Sequence, residues 1–249
     1  MKLIKKQIIK LHRFVIFKFS RFTRDSISSN YIKFGKGIEI GAMDLPLKVR
    51  SDVKVKYYDR IPREEQKKIF KELDLKKLVK VDLIGDAEKL DNIEADSLDF
   101  IIANHFIEHC QNVISTLEIM FSKIKEEGIL FLAIPDKRYT FDIDRDITSW
   151  KHFKKDYEEG SGQSEYAHYY DFVKHTEHGL GKTDREINEK INELKARNFS
   201  IHFHVFDHES ILKLFMNLKE EMNFKFEILL AMSAQKYSNE SIFILKKSK

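Results

Sequence analysis

Apolar residues fall into two rhythms along this chain. Runs at 37–41, 53–58, 80–84, 98–103, 129–134, 225–231 and 241–246 are short and apolar or alternating, as strands are. Between them, helical spacing occupies about 62–75, 112–126 and 208–219, with a further helix at 184–197. Asn112 and Asp207 stand where helix N-caps are expected, and Gly128 where a left-handed C-terminal cap would follow. Strands alternating with helices predict an α/β fold with a parallel sheet covered on both faces. The last two strands are joined by only nine residues, Met232 to Glu240, too few for a crossover helix, so they should pair antiparallel. Far more chain than one helix needs separates the fifth strand from the sixth. Residues 136–205 therefore read as an insertion that caps the substrate site, since such segments at the carboxyl end of a parallel sheet shape pockets.

The first strand, Lys36-Gly37-Ile38-Glu39-Ile40-Gly41-Ala42, runs into a glycine turn, and twenty residues after Glu39 the second strand ends on Asp59. A glycine at the first strand-to-helix turn lets backbone approach a ligand, and an acid ending the next strand can accept hydrogen bonds from ribose hydroxyls. A pyrophosphate needs more glycines and a helix N-terminus. Here the turn continues Ala42-Met43-Asp44-Leu45-Pro46, poor in glycine and acidic, which suits a ribose-bearing cofactor without a pyrophosphate.

Five blocks carry a family resemblance: Gly37 to Ala42, Tyr58-Asp59-Arg60, Gly85-Asp86-Ala87, Ala103-Asn104-His105-Phe106-Ile107-Glu108-His109 and Leu132-Ala133-Ile134-Pro135-Asp136. In order and spacing, over roughly 34–135, the chain resembles class I S-adenosylmethionine-dependent methyltransferases (type 11-like). The resemblance implies a Rossmann-like seven-stranded, mostly parallel sheet with an antiparallel last strand. It also implies S-adenosylmethionine as cofactor, with S-adenosylhomocysteine as product. Glu39, Gly41 and Ala42 would then meet the methionine part, and Asp59 with Arg60 the ribose. Asp86 and Ala87 would meet the adenine, while Asn104 and His105 are cofactor neighbours. Asp59 and Asp86 can equally be loop-start residues that cap helices. The family usually has a longer glycine run than Gly37 and Gly41, so a binding protein with a decayed methyltransferase fold is the alternative. A nicotinamide enzyme on the same fold is disfavoured by the missing pyrophosphate turn. Ile40-Gly41, Pro46-Leu47, Asp59-Arg60 and Pro135-Asp136-Lys137-Arg138-Tyr139 further resemble bacterial methyltransferases that act on capsule or lipopolysaccharide building blocks. That implies O-methylation of a small anionic or sugar-containing precursor, including a phosphoramidate or nucleotide-linked group.

With 249 residues and 42% hydrophobic content, the chain has material for one domain, a methyltransferase domain at 34–249 preceded by a segment at 1–33. No run approaches 18 uncharged apolar residues, so no membrane span is expected, and the single Cys110 excludes an internal disulfide and fits a reducing, cytoplasmic setting. Net charge is +4, yet residues 1–24 carry eight Lys or Arg and no acid, which leaves −4 on the remainder. Leu3, Ile4, Ile8, Leu11, Val15 and Phe19 recur at near-helical spacing among those charges. The segment reads either as an amphipathic helix packed on the sheet or as a peripheral contact with an anionic membrane. Nucleic acid is not expected as substrate, because basic charge is confined to that end. The oligomeric state is not legible.

Candidate chemistry gathers after the fourth and fifth strands. His109 is a candidate general base, or else a partner of Glu108. Asp136 or Tyr139 could orient an acceptor hydroxyl, and Arg138 and Arg145 could fork onto a phosphate or carboxylate. Six of the ten histidines lie within 168–208. Of these, His168, His202 and His204 are expected to recognise the acceptor, with His202 and His204 on one face of a strand-like run. No familiar metal-ligand spacing is present, so no metal is assigned.

Overall fold

The computed structural model describes residues 24–69, 74–176, 181–234 and 238–249. A seven-stranded sheet runs β3-β2-β1-β4-β5-β7-β6. Its strands are β1 (Lys36–Ile40), β2 (Lys54–Asp59), β3 (Leu83–Ile84), β4 (Leu98–Asn104), β5 (Ile124–Pro135), β6 (Phe226–Met232) and β7 (Glu240–Lys247). The first five pair in parallel, and β7 lies antiparallel between β5 and β6, as the short β6–β7 connection requires. The helices are α1 (Arg24–Tyr31), α2 (Arg63–Ile69), α3 (Val113–Lys123), α4 (Trp150–Glu159), α5 (Glu165–His175), α6 (Asp184–Ala196) and α7 (His208–Glu221).

Alternate side chains of each strand build two cores, as the period of two dictates. On one face Ile38, Ile40, Ile101, Leu132 and Phe243 pack under α3, α4 and α7. On the other, Phe100, Ile102, Phe131, Ala133, Ile242 and Ile244 meet Ile27 of α1 and Leu47 and Val53 of the β1–β2 loop. Gly37 permits this packing, since a Cβ there would come 2.3 Å from the Phe100 carbonyl oxygen. Asn112 caps α3 through Ser115 N–H, and Asp207 caps α7 in a reciprocal box with Ser210.

Thirteen residues of loop, with no helix, connect β1 to β2. Two expectations are corrected. Gly128 does not cap α3, which ends at Lys123 directly into β5; Glu127 takes the left-handed conformation (φ 63°), and Gly128 is required because a Cβ would meet Ile124 at 2.5 Å. Among the described residues the insertion holds three α-helices rather than one, and α5 and α6 share a small core of their own around Phe172, Val173, Ile187 and Ile191. The basic segment lies outside the described residues up to position 23. Among the described residues no helix is long and apolar enough to cross a membrane.

Candidate active site

A cavity of about 440 Å³ opens where β1 and β4 end and β7 begins. Arg24, Glu39, Gly41, Ala42, Asn104, His105 and Glu240 line it, together with the 43–45 turn. Gly41 adopts φ +63°, and a Cβ built there would meet nothing within 4 Å. Met43 (φ 48°) and His105 (φ 50°) hold the same left-handed conformation without being glycine. Backbone strain of this kind persists where the surroundings enforce it, and both residues border the cavity.

Glu39 is buried, and its carboxylate accepts the Leu47 N–H at 2.8 and 3.1 Å, which ties the β1–β2 loop over the strand end. Burial dominates its titration and raises its pKa to about 7 despite the Leu47 bond. Asn104 reaches Glu39 at 3.5 Å, and its own amide oxygen is buried without a hydrogen-bond partner. His105 lies between two acids, with Nε2 2.9 Å from Glu240 and Nδ1 3.4 Å from Glu108. Burial disfavours its charge, but the two carboxylates outweigh burial and raise its pKa to about 9. The imidazolium therefore faces the cavity at neutral pH. Arg24 Nε completes the set 3.1 Å from Glu240.

A family model described as a methyltransferase domain matches residues 33–218, well over half of the chain. The chain belongs to that family. It is an S-adenosylmethionine-dependent methyltransferase. No curated protein matches its sequence. Among solved structures, a SAM-dependent methyltransferase from Thermotoga maritima is 16% identical, with TM-score 0.44 and 100% of both chains covered. The CurJ carbon methyltransferase is 15% identical with TM-score 0.44; the match covers 87% of this chain but 49% of that longer one. A protein described as a zinc-dependent alcohol dehydrogenase from Rhodobacter sphaeroides is 13% identical with TM-score 0.51, covering 91% and 90%. Likeness at such identities concerns the fold alone, and the zinc in that description belongs to that protein.

The cavity fits the methionine end of S-adenosylmethionine. Open space above Gly41, the unpartnered Asn104 oxygen and the adjacent Glu39 carboxylate supply room and acceptors for an ammonium group. The nucleoside candidates lie further along the same sheet edge. Asp59 ends β2 half-buried, where one oxygen accepts the Ile61 N–H at 3.3 Å. Arg60 instead turns to the Asn198 carbonyl at 3.4 Å. Asp86 accepts the Glu88 N–H at 3.0 Å and pairs with Lys89 at 2.9 Å, which is the loop-cap arrangement, and Ala87 follows it.

The acceptor candidates are dispersed. His109 is half-buried with Nδ1 at 2.8 Å from the Ile201 carbonyl, and desolvation lowers its pKa. Its ring packs edge-on against His202, 4.7 Å between centroids. Asp136 has no solvent exposure; it binds Arg138 at 2.7 and 2.8 Å and accepts the His208 N–H, so its proposed catalytic role gives way to bracing the start of α7. Those Arg138 bonds outweigh burial and lower its pKa. Tyr139 is exposed beside the Arg138 guanidinium. Arg145 is 1% exposed and pairs with Asp142 and Asp171, both at 2.7 Å, so it has no guanidinium edge to offer an acceptor. His202 joins that network through Asp142 at 2.6 Å. His202 and His204 share no strand face: residues 201–205 form no strand, and His204 packs instead with His152 and His168.

Arg24, Glu108 and Glu240 were not anticipated as site residues. Arg24 was legible only as the end of a basic run. Glu240 had one available signal, since an antiparallel last strand begins at the edge where the parallel strands end.

Proposed function

We propose that the chain transfers the methyl group to an oxygen that arrives already anionic, on a small phosphate- or carboxylate-bearing acceptor with a sugar part. The observation that carries this reading is the state of the candidate bases. His109 is half-buried with Nδ1 bonded to the Ile201 carbonyl, Asp136 is saturated by Arg138 and His208, and His105 holds a proton up to about pH 9. A neutral hydroxyl profits from a base, whereas an anionic oxygen needs alignment and charge neutralisation. S-adenosylmethionine supplies an electrophilic methyl group on a sulfonium. Glu39 and Asn104 would hold its methionine end, and Asp59 its ribose. The His105 imidazolium and Arg24 would offset acceptor charge at the cavity, and the exposed Tyr139 and Phe141 would offer flat faces to a sugar ring. A surface-polysaccharide precursor is one acceptor of this class, supported by the resemblance carried by Ile40-Gly41, Pro46-Leu47, Asp59-Arg60 and Pro135 to Tyr139.

The test is transfer of labelled methyl groups to paired acceptors, sugar phosphates or uronic acids against their neutral sugars. Label should enter the anionic member of each pair, at a rate nearly constant from pH 7 to 8.5. Methylation of neutral sugars, with a rate climbing through an acid limb that His109→Ala abolishes, would overturn the reading.

A further inference from the structure

The insertion brings together four side chains that the methyl-transfer site does not use. His152 and Asp156 lie one turn apart on α4, so they share a face. His168 comes from α5 and His204 from the 201–206 segment, and one donor atom from each of the four lies within 4.8 Å of the other three. His152 Nε2 stands 2.9 Å from His168 Nε2 and 3.1 Å from Asp156 Oδ2, and the latter is 3.9 Å from His168 Nε2. A tetrahedral zinc ion with bonds of about 2.0–2.1 Å separates its ligand atoms by roughly 3.3 Å, which these distances bracket.

The outer contacts are those of a ligand shell. Asp156 Oδ1 accepts the Ser164 hydroxyl at 2.6 Å, while Oδ2 is buried with no hydrogen-bond partner. His204 is 1% exposed; with Nε2 donating to the Gln111 carbonyl at 3.4 Å, its Nδ1 carries a lone pair, and that atom too is buried without a partner. Orphaned buried acceptors are costly, and a metal would satisfy both at once. Fixing one ring nitrogen on a carbonyl to set the other as donor is the usual support for a metal-bound histidine. Three imidazoles and one carboxylate select a borderline divalent ion such as Zn²⁺ over Mg²⁺ or Ca²⁺.

We infer that His152, Asp156, His168 and His204 bind one Zn²⁺ ion, which staples α4, α5 and the 201–206 segment to the start of α3 through Gln111 and Asn112. Asn112 strengthens the connection by donating from its side chain to the Asp156 carbonyl at 2.8 Å. With four protein ligands the site is closed, so its role is structural.

The test uses the full chain, freed of any histidine tag and stripped with a strong chelator. Zinc should bind at one ion per chain and raise the melting temperature by about 5 °C or more. Cobalt(II) should give the visible absorption of a four-coordinate site. His168→Ala and Asp156→Ala should lose the bound ion, whereas His202→Gln, in the neighbouring Glu108–His109–His202 group, should keep it. If the alanine variants do not fold, titration of the stripped wild-type chain decides alone. A stripped chain that melts unchanged with zinc and shows no saturable cobalt spectrum would overturn the inference, as would metal lost in His202→Gln and kept in His168→Ala.

Discussion

Two side chains set the pH behaviour of the cleft. Glu39 has a native pKa of about 7, raised by burial above an ordinary 4.5. The free protein therefore loses stability as pH rises from about 4.5 through 7, because the native state retains a proton that the unfolded chain releases. A cationic ammonium binds the ionised form, so affinity for S-adenosylhomocysteine should rise between pH 6 and 8. Calorimetry on Glu39→Gln should show that slope gone and affinity reduced roughly tenfold, the order expected for a lost charged hydrogen bond; an unchanged slope would remove Glu39 from the ligand site. His105 acts in a later window. Its pKa is raised from 6.5 to about 9, so its contribution is complete below 6.5 and lost as pH climbs through 9. The melting temperature should fall between pH 7 and 9.5 in the wild type and stay nearly level in His105→Gln. Asp59→Ala should cost cofactor affinity about tenfold while barely changing the melting temperature. The sequence placed Glu39, Gly41, Asn104 and His105 together because each ends a parallel strand, and strand ends are readable from alternation. It could not show that His105 is charged, because Glu240 is 135 residues away and meets it only through the sheet.

Strands and helices α3 and α7 of the first face were legible from periodicity, while α4 and α5 of the insertion were not. Its helices α4 and α5 are rich in Lys, Tyr and His, so their apolar stripe is thin, and α5 packs on α6 rather than on the sheet. Arginine at position 145 reads as an exposed phosphate fork in sequence and proves to be a buried tie between the 142–145 turn and α5. Breaking a buried ion pair leaves its partner charged and unpaired, so Arg145→Met should lower stability in urea by about 3–5 kcal/mol. A variant with unchanged urea midpoint and a raised KM for acceptor would restore the recognition role. Arg138 differs in kind. It is half-exposed and bonded to Asp136 on one side only, so Arg138→Ala should cost little stability and show itself in acceptor KM.

At the scale of the molecule the two sheet faces are unequally covered. Helices α3, α4 and α7 pack on the larger apolar cluster of one face, whereas among the described residues α1 and the β1–β2 loop pack on the smaller cluster of the other. Toward the β6 edge of that second face, Leu230 and Met232 remain half-buried. Parallel sheets are stable when both faces are sealed, so an apolar stripe supplied by neighbouring chain would find surface to bury there. Arg24 fixes where that chain enters, since it pairs with Glu240 at the cavity. Leu3, Ile8, Leu11, Val15 and Phe19 lie in the basic segment that precedes it. Removing residues 1–23 takes away seven basic groups and leaves 37 basic against 40 acidic residues. The expected result is a lower melting temperature and weakened cofactor binding, because the second face and the Arg24 anchor would both lose support. The membrane alternative predicts something else: the truncated protein would melt with the full chain, bind cofactor equally, and lose only a salt-sensitive sedimentation with anionic vesicles. Measuring melting, cofactor affinity and vesicle sedimentation on the same pair of proteins separates the two, and unchanged melting with lost sedimentation would reverse the packing view.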